Sequence, residues 1–205
     1  MIAVVHGPRG CGKSTALRRW LAHRGWMPPR GFRTYFDGTP PSLRLAPWEE
    51  GASICEIMEK PAFSCDFPPS STPCPPSAWD PVFAPALDAF LDAVFLAGSP
   101  TGTLQVQPPI PPSLPPSPLP RPPWSFDASA YWRAALSTLD GDPARPLVID
   151  ELGLFETLPG ALDPSAFRGL LTALRAAPRA IVVVQERALA FWLNALSIHA
   201  PCTIR

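Results

Sequence analysis

Short apolar runs alternate with longer amphipathic segments along most of this chain. The runs at 2–5, 147–149 and 180–184 are rich in β-branched residues, which is typical of strands buried on both faces. Leucine and aromatic residues at three- and four-residue spacing predict helices between the strands. These helix-like stretches lie at 15–24, 87–95, 131–139, 167–174 and 189–196. The alternation predicts an α/β fold, a mostly parallel sheet with helices on both faces.

The segment after the first helix predicts a hairpin beside this sheet. Residues 32–36 and 43–46 read as strands, and the Asp37-Gly38 pair between them is a turn signal. A further short strand is predicted at 54–58 and a closing one at 202–204.

Capping residues mark the beginnings of three helices. Asp127 and Asp163 precede helical periodicity as N-caps, and Pro164 fits the first helical position. Pro85 suits the first turn of a helix that ends near Gly98.

Proline is the compositional outlier, with 31 residues in a chain of 205. We interpret the chain as one domain over 1–205 with a proline-rich insertion or linker at about 61–125, and irregular surface chain at 61–81. Residues 108–123 contain ten prolines in sixteen positions, which predicts an extended polyproline segment of up to ~50 Å. A stiff linker is the favoured interpretation; the alternative is a docking segment for a proline-reading partner.

Charge and cysteine usage exclude several classes of protein. Seventeen basic and seventeen acidic residues give zero net charge, so bulk electrostatics indicate no nucleic-acid or membrane-surface partner. Five irregularly spaced cysteines suggest neither a zinc site nor a disulfide framework. No apolar run approaches the ~18 residues of a membrane span, and a loop motif beginning at residue 7 leaves no room for a signal peptide. We expect a cytoplasmic protein.

The first strand runs into a phosphate-binding motif. Residues 7–14, GPRGCGKS, match G-x-x-x-x-G-K-[ST] without a mismatch, between a strand and a helix. Backbone N–H groups of such a loop and the helix N-terminus bind a polyphosphate. Lys13 would reach the β- and γ-phosphates and Ser14 would bind Mg²⁺. The predicted nucleotide-binding residues are Gly7, Pro8, Arg9, Gly10, Cys11, Gly12, Lys13, Ser14 and Thr15.

A second motif, which is acidic, completes the predicted site. The apolar run 147–149 ends in Asp150 and Glu151. In P-loop NTPases an acid at the end of a neighbouring strand holds Mg²⁺. We therefore predict Asp150 as a metal ligand with Ser14, and Glu151 as the group that orients or deprotonates the attacking water.

Together these motifs resemble the THEP-type small P-loop nucleoside triphosphatases. The resemblance adds Gly31-Phe32-Arg33-Thr34, which matches G-F-x-T, and residues 149–156, which match I-D-E-[IL]-G-x-x-E. It covers residues 1–46 and about 126–205, whereas the proline-rich middle departs from the family pattern. It implies a RecA-like core and Mg²⁺-dependent hydrolysis of nucleoside triphosphates with broad base tolerance. Glu156 falls on a family position, either as a supporting acid of the site or as a surface acid.

Arginines are the natural partners of transferring phosphate. Arg187, which follows the 180–184 strand, is the preferred catalytic candidate, and Arg9 and Arg33 are weaker candidates. His6 is assigned a structural role.

Two other functions remain open at this stage. The first is a nucleotide or small-molecule kinase, although between residues 60 and 125 only Arg121 could serve an arginine-rich lid. The second is a nucleotide-gated binding module that docks through 108–123. Base preference is undetermined, since no guanine-reading N-K-x-D motif is present.

Overall fold

The structure is a computed structural model that describes most of the elements predicted above. The described residues are 1–7, 12–37, 42–49, 55–59, 76–98, 102–105, 125–153 and 161–198. The strands are β1 (Ile2–Gly7), β2 (Arg30–Asp37), β3 (Ser42–Pro47), β4 (Cys55–Glu59), β5 (Gly102–Gln105), β6 (Ser125–Phe126), β7 (Leu147–Leu152) and β8 (Ala180–Gln185). The helices are α1 (Lys13–His23), α2 (Pro76–Phe95), α3 (Ala128–Ser137), α4 (Pro164–Ala176) and α5 (Leu189–Leu196).

The eight strands form a single sheet in the order β5-β1-β8-β7-β2-β3-β4-β6. The strands from β5 through β2 are parallel, and β3, β4 and β6 extend the sheet with antiparallel pairings. The predicted hairpin is therefore confirmed as the β2–β3 pair, and the predicted strand at 54–58 is confirmed as β4. The turn between β2 and β3, and the predicted strand at 202–204, lie outside the described residues.

Helices cover both faces of the parallel strands, as predicted. Successive β1 residues point to opposite faces, because side chains alternate along a strand. Ala3 and Val5 pack in the core cluster beneath α1 and α2. Ile2 and Val4 pack in the other cluster, beneath α3, α4 and α5. This double burial explains why β1, β7 and β8 are apolar over most of their length.

The middle of the chain differs from its prediction in two places. Helix α2 begins at Pro76, so the prediction of irregular chain at 61–81 is wrong over its last residues, and so is the prediction that Pro85 lies in the first turn, since Pro85 is inside the helix. Strand β5, which the sequence analysis did not predict, pairs with β1 as a parallel edge strand. The polyproline segment at 108–123 lies outside the described residues.

Helix α2 packs against α1 through polar as well as apolar contacts. Leu87, Leu91 and Val94 are almost fully buried against the first helix and the sheet. Asp92 accepts a hydrogen bond from the Trp20 indole N–H (3.1 Å) and forms an ion pair with Arg24. The second half of this helix is therefore part of the domain core.

The predicted caps are present at α3 and α4. Asp127 accepts a hydrogen bond from the Ala130 N–H (2.8 Å), and Asp163 accepts from the N–H groups of Ser165 and Ala166. Each carboxylate satisfies amide groups that have no partner within the helix.

Among the described residues, no helix is long and apolar enough to cross a membrane.

The G-F-x-T residues pack β2 closely against β7. Gly31 has φ +98°, and a Cβ at this position would lie 2.3 Å from the Val148 carbonyl oxygen. Phe32 is fully buried, and Thr34 donates a long hydrogen bond (3.5 Å) to the Asp150 carbonyl oxygen. Glycine at position 31 is therefore required by both backbone conformation and space.

We expect Gly31→Ala to destabilise the protein by at least ~3 kcal/mol, because strain and a backbone overlap add at one position. Gly25→Ala is the matched control: Gly25 also has a positive φ (+65°), but a Cβ there would contact nothing within 4 Å. The control should cost only about 1–2 kcal/mol. Denaturant unfolding of both variants measures the difference, and equal losses would contradict the steric argument.

Candidate phosphate-binding site

The functional residues predicted from the sequence converge at the carboxyl edge of the parallel sheet. Strand β8 lies between β1 and β7, with Gly7 opposite Gln185 and Asp150 opposite Val183. The carboxyl ends of parallel strands meet at one edge, where ligands of open α/β sheets bind. The first and second predicted motifs are thus two strand spacings apart, roughly 10 Å.

Helix α1 begins directly at the predicted loop. Gly12 is its N-cap residue with φ +85°, a left-handed conformation that favours glycine. Lys13 donates a hydrogen bond from Nζ to the Gly7 carbonyl oxygen (3.0 Å), so the ammonium group points to the end of β1. Pro8, Arg9, Gly10 and Cys11 lie outside the described residues, and their predicted contacts with phosphate stay predictions.

Ser14 and Asp150 are in direct contact. The Ser14 hydroxyl donates to Asp150 Oδ1 at 2.9 Å, which joins α1 to β7. Asp150 is only 3% exposed. Burial raises the pKa of its carboxyl to about 6; the hydrogen bond from Ser14 and the charges of Lys13 and Arg18 act in the opposite direction.

The donor set fits Mg²⁺ better than a transition metal. One hydroxyl and one carboxylate are hard oxygen ligands, and Mg²⁺ binds through one or two carboxylates while phosphates and water complete its coordination. Among the described residues, no group of three or more His, Cys, Asp or Glu side chains could hold a metal alone. Burial makes the charged form of the Asp150 carboxyl costly, and a bound cation would compensate for that charge.

Glu151 has an unusual backbone conformation. The pairing of β7 with β8 shifts register between Asp150 and Leu152, so Glu151 occupies a bulge. Its φ is +82°, which is rare for a residue with a side chain. Gln185 donates from Nε2 to Glu151 Oε1 at 3.0 Å. The bulge therefore turns the Glu151 side chain towards the end of β8, next to the strand that enters the phosphate loop.

Gln185 is the site residue that the sequence analysis missed. The Gln185 amide packs directly against Gly153, since a Cβ there would lie within 2.8 Å of the amide. Trp192 in turn donates its indole N–H to the Gly153 carbonyl oxygen (3.3 Å). The available signal was its position, a polar residue that ends the apolar run 180–184.

The remaining candidates are less closely connected with Asp150. Arg187 is exposed in a 3-10 turn, Glu186–Ala188, directly after β8. His6 is buried near the carboxyl end of β1, and its Nδ1 has no hydrogen-bond partner. Burial lowers the pKa of His6. Thr15 is exposed on the first turn of α1, and Glu156 lies outside the described residues.

A cavity of about 290 Å³ lies at the opposite, amino edge of the sheet. Its lining includes Arg30, Trp48, Glu49 and Arg145. Arg30 donates to the Leu139 carbonyl oxygen (3.0 Å), and Arg145 pairs with Glu49 (3.3 Å). Both cations are already engaged, and the cavity is at the far end of β2 and β7 from Asp150, so it is not part of the phosphate site.

Comparison with known proteins supports the fold assignment. The sequence matches no protein-family model and no curated protein. Among solved structures, the chain is similar to the crystal structure of THEP1 from the hyperthermophile Aquifex aeolicus, with 12% sequence identity and a TM-score of 0.52. The alignment covers 100% of this chain and 87% of that chain. The protein has a P-loop-type α/β fold. This likeness confirms the predicted fold class, and at such low identity it shows a distantly shared fold rather than membership of the THEP family.

The buried carboxyl makes stability depend on pH. Because the folded pKa of Asp150, about 6, lies above its ordinary 3.8, the folded state retains a proton that the unfolded chain releases. The stabilisation is present below about pH 4 and is lost as the pH rises through about 6. The shift corresponds to about 3 kcal/mol. We expect the metal-free wild type to lose this amount relative to Asp150→Asn between about pH 4 and pH 7. Parallel pH profiles of the two proteins in denaturant unfolding would contradict the expectation.

Proposed function

We propose that this protein is a Mg²⁺-dependent phosphohydrolase that converts nucleoside triphosphates to diphosphates and phosphate, functionally like the THEP-type enzymes, with little discrimination between bases. The observation that carries the proposal is the Ser14–Asp150 hydrogen bond, 2.9 Å, at the point where the predicted loop meets the acidic strand. Hydroxyl and carboxylate are thereby already adjacent, as joint ligation of one cation requires. The proposed ligand is a nucleoside triphosphate, and the proposed compartment is the cytoplasm.

Binding would use the loop, Lys13 and the start of α1. The Lys13 ammonium donates to the Gly7 carbonyl oxygen; exchanging that acceptor for a phosphate oxygen places its charge on the β- and γ-phosphates. Ser14 and Asp150 would hold Mg²⁺, which supplies neutralisation of the phosphate charge.

Glu151 is proposed to orient and deprotonate the attacking water. Its carboxylate accepts one hydrogen bond from Gln185 through Oε1, and no described residue donates to the other carboxylate oxygen, which we propose as the acceptor for water. Gln185 thus acts as a positioning residue that fixes the glutamate without consuming both oxygens. Its place opposite Gly7 keeps this pair next to the strand that leads into the phosphate loop. Arg187 remains the proposed cation for charge that develops on the transferred phosphoryl group.

The proposal is tested by measuring phosphate release from ATP, GTP, CTP, UTP and the deoxynucleotides, with and without Mg²⁺ and without an added acceptor. We expect release from several bases, dependent on Mg²⁺, and none from Lys13→Ala, which lacks the charge at the phosphates. Release that appears only with an acceptor would favour a kinase. Nucleotide binding without turnover would favour a nucleotide-gated binding module.

We expect Glu151→Gln to bind Mg²⁺ and nucleotide normally while losing at least ~10²-fold in turnover, a typical contribution of a general base. The amide retains the size of the side chain and its contact with Gln185 but cannot accept the proton from water. Single-turnover phosphate release together with equilibrium nucleotide binding separates the two effects. Rapid turnover in Glu151→Gln combined with an inactive Glu156→Gln would assign the base to Glu156.

A further inference from the structure

A second cationic region lies beside Asp150, on the side away from the phosphate loop. Strand β2 follows β7 in the sheet, and Arg33 is directly opposite Asp150 in this parallel pair. Phe32 and Ile149, the preceding opposed residues, both pack in the cluster beneath α3 and α4. Because side chains alternate, Arg33 and Asp150 both leave the sheet on the opposite, α1 face.

The Arg33 side chain extends towards the carboxyl edge. Its guanidinium lies over the Tyr35 ring, 5.5 Å from the ring centre, two residues further along β2. Tyr35 is partly buried, and the ring supports the guanidinium from one side. The guanidinium is thus held at the edge where phosphate is expected, rather than extended into solvent.

Arg33 has no anionic partner in the part of the chain that the structure describes. Its Nε is buried and has no hydrogen-bond partner. A buried donor without a partner costs roughly 1–3 kcal/mol, and more when the group is charged. Arg30 on the same strand shows the contrast, since it donates to backbone carbonyl oxygens at the other edge. The unsatisfied Nε indicates that the hydrogen-bond acceptor for Arg33 is a group outside the described residues.

Arg18 contributes a second cation from helix α1. It follows Ser14 by four residues on α1 and therefore lies on the same helix face. It is near enough to lower the pKa of the Asp150 carboxyl, yet it forms no hydrogen bond or ion pair with any described residue. Lys13 and Arg18 both favour the charged form of this carboxyl, whereas the neighbouring Glu151 carboxylate disfavours it.

The distance from the loop separates this region from the diphosphate position. Three strand spacings, roughly 14 Å, lie between β1, which enters the loop, and β2. Asp150, the proposed metal ligand, lies between them. A phosphate group at Arg33 is therefore on the far side of the metal position from the loop.

We infer that Arg33, assisted by Arg18, forms an anion-binding position on the β2 side of Asp150 that accepts a phosphate group distinct from the diphosphate held by the loop. The phosphate belongs either to the terminal group of the nucleotide, before or after cleavage, or to a second phosphate-bearing molecule. The location of this position rests on the proposed nucleotide site, whereas its affinity for phosphate does not depend on hydrolysis.

Inorganic phosphate is the probe, and calorimetric titration is the measurement. We expect wild-type protein to bind phosphate in the presence of saturating Mg–ADP. Arg33→Gln should weaken this binding at least ~10-fold, since a charge-assisted, forked contact is removed. Arg33→Lys should recover part of the affinity by restoring the charge without the fork. Arg18→Gln should weaken binding less, by ~3-fold, because this side chain is exposed.

Arg168→Gln is the matched control for loss of one positive charge. Arg168 is exposed on α4, which covers the other face of the sheet, and its removal should change phosphate affinity less than ~2-fold. Thermal unfolding verifies that each variant is folded. Unchanged affinity in Arg33→Gln, or an equal loss in Arg168→Gln, would overturn the inference. Displacement of the phosphate by Mg–ADP would also overturn it, because the phosphate would then have occupied the loop.

A further titration distinguishes the two sources of phosphate. If a non-hydrolysable Mg–ATP analogue excludes inorganic phosphate where Mg–ADP does not, the position takes the terminal phosphate of the nucleotide. Phosphate that binds beside the analogue assigns the position to a second molecule. Both results support the anion position. Loss of Mg–ADP binding in Lys13→Ala tests the nucleotide site separately, so the two proposals can fail independently.

Discussion

The hydrogen bond between Ser14 and Asp150 is the contact around which this molecule is organised. It joins the first helix to a strand that lies 136 residues further along the chain. Asp150 is buried at the edge of a sheet covered on both faces, and burial of a carboxylate is costly unless it is paired or hydrogen-bonded. Strand β8, which fits between β1 and β7, sets the separation that this contact requires. The fold thus sets the distance between the start of α1 and Asp150. Because the Asp150 carboxylate is buried, it requires a hydrogen-bond donor or a cation there.

Four groups in unfavourable states lie at the carboxyl edge of the sheet, and two others, Arg24 Nε without a partner and left-handed Ser197, lie at the C-terminal ends of α1 and α5. Asp150 has a raised pKa, Glu151 has a left-handed backbone, and the Nδ1 of His6 and the Nε of Arg33 are buried without partners. Each state carries a cost of order 1–3 kcal/mol. Apart from β7 and β8, the parallel strands pair without a register shift, whereas β3 and β4 shift register between Leu43 and Arg44. Most of the described groups of this kind lie at the carboxyl edge, which supports it as the candidate functional site.

The sequence predicted the parallel core because its physical cause is local. Runs such as 147–149 and 180–184 are apolar at every position, and only strands buried on both faces require this. Asp127 and Asp163 act within their own first helical turns, so their capping roles were also predictable. By contrast, the proline content led to a wrong prediction for the end of 61–81, because helix α2 already begins at Pro76.

The parts of the site that escaped prediction depend on contacts between distant segments. Gln185 ends its strand as an ordinary polar residue, and only the bulge in β7 brings Glu151 to it. Gly153 leaves room for the Gln185 amide, and Trp192 donates its indole N–H to the Gly153 carbonyl oxygen. No spacing rule along the chain connects residues 151, 185 and 192. The sequence motifs located Glu151 and the loop, whereas the contact of Glu151 with Gln185 depends on the folded sheet.

The short motif in β2 contains three residues that build the fold and one, Arg33, that does not. Gly31 permits close contact with β7, Phe32 fills the core, and Thr34 contacts the Asp150 backbone. These three positions are the fixed letters of G-F-x-T, so a match to them tests strand packing more than chemistry. The variable letter is Arg33, which lies opposite Asp150; its guanidinium stacks on Tyr35, and its buried Nε has no hydrogen-bond partner among the described residues. A different residue at this position could therefore keep the same strand arrangement and present a different side chain at the carboxyl edge of the sheet.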